Sequence, residues 1–394
     1  MSNALWSRRD AISTAVTSVA AGWALLANPD FVFAGEGDDE ELVPFQKEPR
    51  SKPESLDWET LTEWITPQDQ TFSVQHYGIP KVESKGYELE IMGLVEHPRR
   101  LGLDALKSLP RDEQSMTLEC SGNGMSPGFM NAVYNSRWGG TRLAPILKEC
   151  GIKPGATEVV FFGHDRQAET LRKGTPRELS VEVPFGRSMT IDDVFRLDPL
   201  LADERNGEPF AERNGAPLRL IVPGWYGIAN VKWLRRIEVR DRRYMGRFMG
   251  RDYVTVRGER HGDEVVFVES SVTRMNLKSV VARVTRQATK DGKIPLKAYG
   301  AVWGDGTPIK QVEVQLDKGE WRAATLDEKP QEKFSWRFFS IDLGDVDPGP
   351  HTVVSRAIDE PGRIQPPAED DEIALKKTYW EAYQQWPRVI DVKA

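Results

Sequence analysis

The stretch Thr117-Leu118-Glu119-Cys120-Ser121-Gly122-Asn123-Gly124 carries one of the two cysteines of the chain into a turn after an apolar, strand-like approach. Glycine and asparagine adopt positive φ readily, so such a turn can present backbone N–H groups to a ligand. A thiolate is a soft metal ligand, and surrounding amides favour its ionised form. The turn therefore indicates a metal-binding cysteine at position 120, against the alternative of a small buried hydrophobe.

A second stretch, residues 214–227, reads NGAPLRLIVPGWYG and has Arg219 at the head of an apolar strand. A lysine, Lys232, follows shortly after the Pro-Gly corner that ends this strand. The corner can bring the two cations together as an anion clamp, Arg by its planar fork and Lys as a point charge. The alternative is a pair of solvated surface charges.

Two smaller features accompany these motifs. His76 lies in a loop, residues 72–80, ahead of an alternating strand; the alternative for it is an ordinary surface histidine. Arg137-Trp138 precedes a Gly-Gly pair that leads into a predicted helix, residues 144–150. Cys150, on the last turn of that helix, is expected to pack rather than to react.

Together these motifs resemble the sulfite oxidase family of molybdopterin-dependent oxidoreductases, and most closely the pattern of bacterial periplasmic sulfite and sulfane dehydrogenase molybdenum subunits. The family hallmark is a Glu-Cys-(Ala/Ser)-Gly-Asn turn that supplies the protein thiolate to a pterin-bound molybdenum, and Cys120 occupies the ligand position. The resemblance gives Arg137 and Trp138 a role in lining the approach to the metal. It implies that four residues hold the molybdopterin: His76, Asn214, Arg219 and Lys232.

From Ser279 onward the sequence becomes a succession of short alternating strands, separated by Gly, Asp and Pro about every ten residues, which is the pattern of an antiparallel β-sandwich. The predicted strands are residues 280–284, 296–303, 312–316, 321–326, 334–338 and 351–357. This region resembles the immunoglobulin-like dimerisation domain of the same family, which implies a homodimer. The expected fold is α+β: a mixed cofactor domain, residues 60–275, followed by the β-sandwich with a C-terminal tail, residues 276–394.

The N-terminus has the features of an export signal. Arg8-Arg9 precedes an uncharged stretch, and Val32-Phe33-Ala34 gives a small-residue cleavage pattern, which predicts a twin-arginine signal peptide at residues 1–34. An uncleaved membrane anchor is disfavoured because the run is short and contains Ser and Thr. Residues 35–59, rich in Glu, Asp, Lys and Pro, are predicted to form an extended arm or linker. We expect a periplasmic protein with no membrane attachment after signal cleavage.

Composition narrows the set of partners. A length of 394 residues suggests two or three domains at about 150 residues each. The net charge of −7 and the pI near 5.5 argue against nucleic acid and anionic membranes as partners. Two cysteines leave no disulfide framework, and the sequence contains no Cys-x-x-Cys-His haem attachment site. We therefore expect no haem in this chain, and a separate cytochrome c or haem subunit as electron acceptor.

The resemblance implies oxygen-atom transfer at molybdenum to sulfite or a related sulfur compound. Four positions depart from animal and plant sulfite oxidases: Val74 and Met125 stand where those enzymes carry arginines, Asp203 replaces a tyrosine, and Asn214 replaces a histidine. Fewer guanidiniums weaken the capture of a doubly charged oxyanion. Two alternatives stay open: a sulfoxide reductase of the same fold, which the Asn-Gly-Ala-Pro variant at residues 214–217 resembles, and a non-catalytic partner subunit.

Overall fold

The computed structural model describes residues 40–46, 55–126, 129–288, 292–328 and 332–394. The predicted signal peptide lies outside these residues. The described strands are β1 (Glu41–Val43), β2 (Glu88–Gly93), β3 (Arg99–Gly102), β4 (Arg111–Glu119), β5 (Val133–Arg142), β6 (Glu158–Leu171), β7 (Leu179–Thr190), β8 (Leu200–Arg205), β9 (Glu208–Pro209), β10 (Arg219–Ile221), β11 (Leu234–Arg240), β12 (Val254–His261), β13 (Glu264–Ser271), β14 (Lys278–Arg286), β15 (Ile294–Trp303), β16 (Ile309–Leu316), β17 (Arg322–Ala323), β18 (Thr325–Leu326), β19 (Arg337–Val346), β20 (Gly349–Asp359) and β21 (Arg388–Val392).

The described helices are short. They are α1 (Leu103–Ser108), α2 (Leu143–Cys150), α3 (Ile191–Leu197), α4 (Arg247–Gly250) and α5 (Asp371–Ala374), with 3-10 turns at Gln68–Gln70, Glu212–Asn214 and Gly227–Ala229. None of the described helices is long and apolar enough to cross a membrane. Helix α2 buries Cys150 completely, as expected for a packing cysteine.

Two large sheets and the two-stranded sheet β12-β13 form the N-terminal unit. In one, the strands run in the order β10-β8-β5-β4, with all neighbours antiparallel, and β4 ends immediately before the Cys120 turn. In the other, the order is β3-β2-β11-β6-β7, with β2 and β11 parallel and the remaining pairs antiparallel. Apolar residues such as Val159 and Phe161 on β6 are fully buried between these elements. The two sheets thus build a mixed domain whose loops carry the predicted site residues.

The second unit is a β-sandwich of two sheets, ordered β1-β14-β15-β19-β18 and β17-β16-β20-β21. The apolar cluster between the sheets includes Val281, Leu296, Val314, Phe339 and Val353. The predicted fold class, an α+β cofactor domain followed by an immunoglobulin-like β-sandwich, is confirmed.

Strands β14 and β15 are buried on both faces. On β14, Val281 contributes to the sandwich interior, while Val280 and Ala282 belong to the cluster that fills the N-terminal unit. On β15, Trp303 stacks on Trp58 of the N-terminal unit with ring centroids 5.9 Å apart. Side chains alternate between the faces of a strand, so a strand that is buried on both faces contributes side chains to two apolar clusters. The two units therefore share these strands as a common wall.

The strand predicted at residues 334–338 was misplaced, since β19 begins at Arg337. The residues before it bond to the strand that leads to Cys120: Thr117 N donates to Phe334 O at 2.9 Å, and Trp336 N donates to Thr117 Oγ1 at 2.7 Å. Trp336 is fully buried there. The apolar run therefore forms part of the contact between the two units rather than a sandwich strand.

The described parts of the predicted arm pack against the protein. Strand β1 pairs antiparallel with β14 at the edge of the sandwich, and Phe45 forms a β-bridge to Ile390. The guanidinium carbon of Arg388 lies 3.5 Å from the ring centroid of Phe45, and Phe45 is only 8% exposed. Residues 40–46 thus add an edge strand to the sandwich and bury the ring of Phe45 against it.

This packing predicts that Phe45→Ala lowers the free energy of unfolding by about 3 kcal/mol, as for other buried aromatic truncations. Leu42→Ala, on the neighbouring strand but 42% exposed, should change it by less than about 0.5 kcal/mol. Urea unfolding followed by fluorescence measures both. Equal effects of the two substitutions would show that the arm does not anchor through Phe45.

Candidate functional site

A cavity that is partly open to solvent lies in the N-terminal unit. Five residues singled out from the sequence line it together: His76, Cys120, Asn214, Arg219 and Lys232. They come from four separate stretches of the chain. The fold thus brings the predicted metal ligand, the histidine and the anion clamp to one place.

The Cys120 turn is held by backbone hydrogen bonds. Cys120 N donates to Ala132 O at 2.9 Å, and Asn123 N donates to Cys120 O at 2.9 Å. Gly124 has a φ of +94°, which glycine adopts at no steric cost. Burial raises the pKa of the Cys120 thiol, while the N–H of Gly122 acts in the opposite direction by hydrogen bonding. The thiol therefore stays protonated until a metal displaces its proton.

Beneath the turn lies a buried ion pair that the sequence did not reveal. The carboxylate of Glu119 is fully buried and accepts from Lys278 Nζ, from Trp303 Nε1 at 2.9 Å and from Asn123 Nδ2 at 2.9 Å. Lys278 Nζ also donates to Asn123 O at 3.1 Å, and its side chain is 1% exposed. Lys278 and Trp303 belong to the β-sandwich. The residue next to Cys120 is thus fixed by the second unit.

His76 is enclosed by aromatic rings. Its imidazole stacks on Phe248, with centroids 4.7 Å apart, and on Phe185, with centroids 5.6 Å apart. The hydroxyl of Tyr253 lies 3.0 Å from His76 Nε2. Burial, assisted by the charge of Lys232, lowers the pKa of His76 to about 4. The imidazole is therefore neutral at pH 7 and serves as a hydrogen-bonding group rather than as a cation.

Arg219 is a buried cation at the cavity wall. Its guanidinium donates to Asn214 O at 3.0 Å and to Asn230 O at 3.3 Å, and it lies 5.2 Å from the ring centroid of Trp138. Its Nε has no hydrogen-bond partner among the described residues. Burial lowers the pKa of Arg219 to about 10, so it remains charged at neutral pH. An anion in the cavity would meet a desolvated, oriented guanidinium.

Lys232 ties the histidine loop to the anion strand. Its Nζ donates to Val74 O at 2.8 Å and to Ser73 Oγ and Arg213 O, each at 3.3 Å. Burial, together with the charge of Arg219, lowers the pKa of Lys232 to about 7. A bound anion would favour the protonated form, because its negative charge stabilises the ammonium group of Lys232. The pair is suited to a phosphate group.

Comparison with known proteins identifies the family of the chain. The oxidoreductase molybdopterin binding domain family matches residues 76–248, and the Mo-co oxidoreductase dimerisation domain family matches residues 269–380. The chain is 31% identical to sulfite oxidase of Arabidopsis thaliana over 358 residues, which is 82% of this chain and 86% of that protein. The chain belongs to the sulfite oxidase family.

Two more proteins are similar to this chain over most of its length. Mitochondrial sulfite oxidase of Homo sapiens is 29% identical over 347 residues, covering 82% of this chain and 60% of that protein. The crystal structure of the sulfane dehydrogenase SoxCD from Paracoccus pantotrophus superposes with a TM-score of 0.71 at 25% identity, covering 90% of each chain. The protein is a molybdopterin-dependent oxidoreductase of the sulfite dehydrogenase type, and its cofactor is a molybdenum-bound pterin.

The cavity residues fit this cofactor, and one fitting residue had not been predicted. Asp165 lines the cavity, is 4% exposed, and its Oδ1 has no hydrogen-bond partner among the described residues. Burial raises its pKa to about 7. An unpaired buried carboxyl group is costly, and N–H groups of a pterin would satisfy it. Asp165 lies where the pairing of β6 with β7 shifts register, an irregularity that commonly redirects a side chain toward a site.

Arg137 and Trp138 do not line the cavity, and the role expected for them stays a prediction. Arg137 Nε pairs with Glu113 Oε1 at 3.4 Å on the neighbouring strand. Trp138 is fully buried behind Arg219. Trp138 thus supports the anion clamp from beneath, and Arg137 belongs to the opposite face of β5.

The departures from the animal and plant enzymes do not add charge at the cavity. Val74 lines it and is 47% exposed, and Met125, outside the lining, is 50% exposed. Asp203 lies outside the cavity, where its Oδ1 pairs with Arg111 Nη2 at 2.8 Å. Positive charge around the cavity therefore comes mainly from the residues that fit the cofactor.

The buried pair predicts that Lys278→Met lowers the free energy of unfolding by about 3–5 kcal/mol, because Glu119 is left as an uncompensated buried charge. Adding Glu119→Gln to this variant should recover part of the loss. The matched control is Lys293→Met, whose ion pair with Asp347 is solvent-exposed and contributes about 0–1 kcal/mol. Urea titration measures the free energy of unfolding of the three variants. A loss for Lys278→Met no larger than that for Lys293→Met would show that the buried Glu119–Lys278 pair does not stabilise the protein.

The anion clamp predicts that Arg219→Ala and Lys232→Ala reduce cofactor occupancy. A hydrogen bond to a charged group contributes about 1.5–3 kcal/mol, which corresponds to a roughly tenfold to hundredfold loss of affinity. Molybdenum and pterin content per mole of purified protein measures the effect. Arg137→Ala serves as control and should retain full occupancy. Wild-type molybdenum content in both clamp variants would remove the clamp from the site.

Proposed function

We propose that this protein is exported to the periplasm, oxidises sulfite or a related sulfur compound by oxygen-atom transfer, and passes the electrons to a cytochrome c. The observation that carries the proposal is the single cavity in which Cys120, the histidine and the anion clamp meet. The structural similarity to the sulfane dehydrogenase SoxCD supports a sulfur substrate. The Arg8-Arg9 stretch, outside the described residues, supports twin-arginine export.

The proposed overall reaction is a two-electron oxidation of sulfur. The sulfur atom gains one oxygen atom derived from water and loses two electrons, two protons are released, and two one-electron haem acceptors take up the electrons. The bound molybdopterin supplies the two-electron oxygen-atom-transfer chemistry. Since the chain shows no haem attachment motif, the acceptor is proposed to be a separate cytochrome c.

The residues of the chain have distinct proposed roles. Cys120 ligates the metal as a thiolate, and its proton leaves when the metal binds. Arg219 and Lys232 hold the phosphate end of the pterin, while Asn214, which lines the same wall, and neutral His76 hydrogen-bond to the cofactor. The aromatic rings around His76 keep that imidazole in place and exclude water from it. The protein thus positions the cofactor and surrounds it with fixed charges and dipoles from which water is excluded.

Assembly through the second unit is part of the proposal. The match of residues 269–380 to a dimerisation domain family supports a homodimer formed through the β-sandwich. Size-exclusion chromatography with light scattering of the mature protein tests this association directly.

The ligand assignment predicts that Cys120→Ser abolishes turnover by a hundredfold or more, since even the outer partners of metal ligands contribute about 10- to 100-fold. Cys150→Ser, at a fully buried packing position, should retain wild-type kcat. Sulfite and thiosulfate are assayed with a dye acceptor, alongside molybdenum analysis and an unfolding midpoint. An active Cys120→Ser variant paired with an inactive, folded Cys150→Ser variant would overturn the assignment.

A further inference from the structure

The C-terminal tail crosses back over the Cys120 turn. Glu381 N donates to Ser121 O at 2.7 Å, and Gln384 Nε2 donates to Gly124 O at 2.9 Å. The rings of Tyr379 and Trp380 cover Gly122, and a Cβ placed on this glycine would be in ordinary van der Waals contact with each ring, at 3.6 Å. A segment more than 250 residues away along the sequence thus forms a roof over the residues next to the metal ligand.

The same roof reaches the cofactor histidine. Trp380 stacks on Tyr253 with ring centroids 4.3 Å apart and an interplanar angle of 24°, and the hydroxyl of Tyr253 contacts His76. Tyr379 packs against Trp380 with centroids 4.0 Å apart. Trp380 is partly buried, whereas Tyr379 is 48% exposed. Trp380 therefore packs between Tyr379 and Tyr253, and the ring of Tyr379 is accessible to small molecules from solvent.

Outside this roof lies a second, open cavity that adjoins the cofactor cavity, because His76 and Tyr253 line both. The remaining lining residues of this outer cavity are Arg247, Phe248, Asp252, Tyr379 and Trp380. Its two charged side chains neutralise each other, since Arg247 Nε donates to Asp252 Oδ2 at 2.6 Å. The outer cavity is therefore mostly aromatic and carries no net charge from its lining.

We propose that the outer cavity is the substrate approach and that Tyr379 determines which sulfur compounds pass it, favouring uncharged, reduced sulfur groups over hydrated oxyanions. This inference rests on the proposed function as a sulfur oxidoreductase. Sulfur of low charge packs favourably against aromatic rings. A sulfite dianion loses hydration in the same cavity, and the Arg247–Asp252 pair offers it no net positive charge.

Kinetics of the holoenzyme test the substrate preference. The wild type should oxidise the neutral thioether dimethyl sulfide, forming the sulfoxide with a dye acceptor, at a lower KM than sulfite. Tyr379→Ala should raise the KM for dimethyl sulfide about two- to tenfold, the range for loss of a sulfur–aromatic contact, with little change in kcat. Tyr379→Phe should behave as the wild type. Tyr379→Arg should lower the KM for sulfite by about tenfold through a new charge-assisted contact.

The matched control is Phe267→Ala. Phe267 is 50% exposed on β13 and lies outside the lining of both cavities, and its ring is 5.3 Å from Nζ of Lys377 in the tail. Loosening of the tail would change both Phe267→Ala and Tyr379→Ala, whereas a substrate contact changes only the latter. Equal KM values for the two alanine variants with each substrate would overturn the proposal.

A second readout does not depend on turnover. In the full-length chain purified without cofactor, Cys120 is partly accessible and Cys150 is buried, so alkylation reports on the approach to Cys120. The wild type sets the reference ratio of the iodoacetamide rate to the iodoacetate rate, which includes the attraction of iodoacetate by Arg219 and Lys232 in the cofactor cavity. Tyr379→Arg should lower this ratio relative to the wild type. Using the ratio of the two rates cancels changes in thiol reactivity. If the ratio is unchanged in Tyr379→Ala and Tyr379→Arg, the role of Tyr379 is refuted even when sulfur oxidation is observed. If the ratio changes but no sulfur compound is oxidised, the proposed function is refuted instead.

Discussion

The burial of the Glu119 carboxylate is the constraint on which the site depends. A charged group placed out of water is tolerated only when its partners are fixed around it. Here the partners are Lys278 and Trp303 from the sandwich and Asn123 from the turn itself. Docking of the two units therefore fixes the residue next to Cys120, in addition to the backbone hydrogen bonds of the turn itself. The β-sandwich thus supplies residues that position the cofactor site of the other unit.

Much of the site could be predicted because its residues sit in local patterns. Cys120 lies in a Gly- and Asn-rich turn, and Arg219 heads an apolar strand, so each carries its signal within a few residues. Asp165 could not be found in this way, since it depends on a register shift in a long hairpin. Lys278 and Tyr253 depend on contacts between distant parts of the chain, which a single sequence does not display.

The role expected for Arg137 and Trp138 stays a prediction, although neither residue lines the cavity. They are neighbours on strand β5, and successive side chains of a strand point to opposite faces. The strand predicted at residues 334–338 was misplaced because its apolar, aromatic composition suits a strand, whereas its hydrogen bonds go to Thr117 in the other unit. The sandwich as a whole was predictable because alternation and turn residues recur along it.

The path of the tail has a consequence for the order of events during folding. The roof over the Cys120 turn is made by residues 379–384, and β21 follows them as an edge strand of the sandwich. Contacts between residues this far apart in the sequence form late, because the entropy of loop closure opposes them until other contacts have shortened the loop. The roof is therefore expected to close only after the turn and the sandwich have formed.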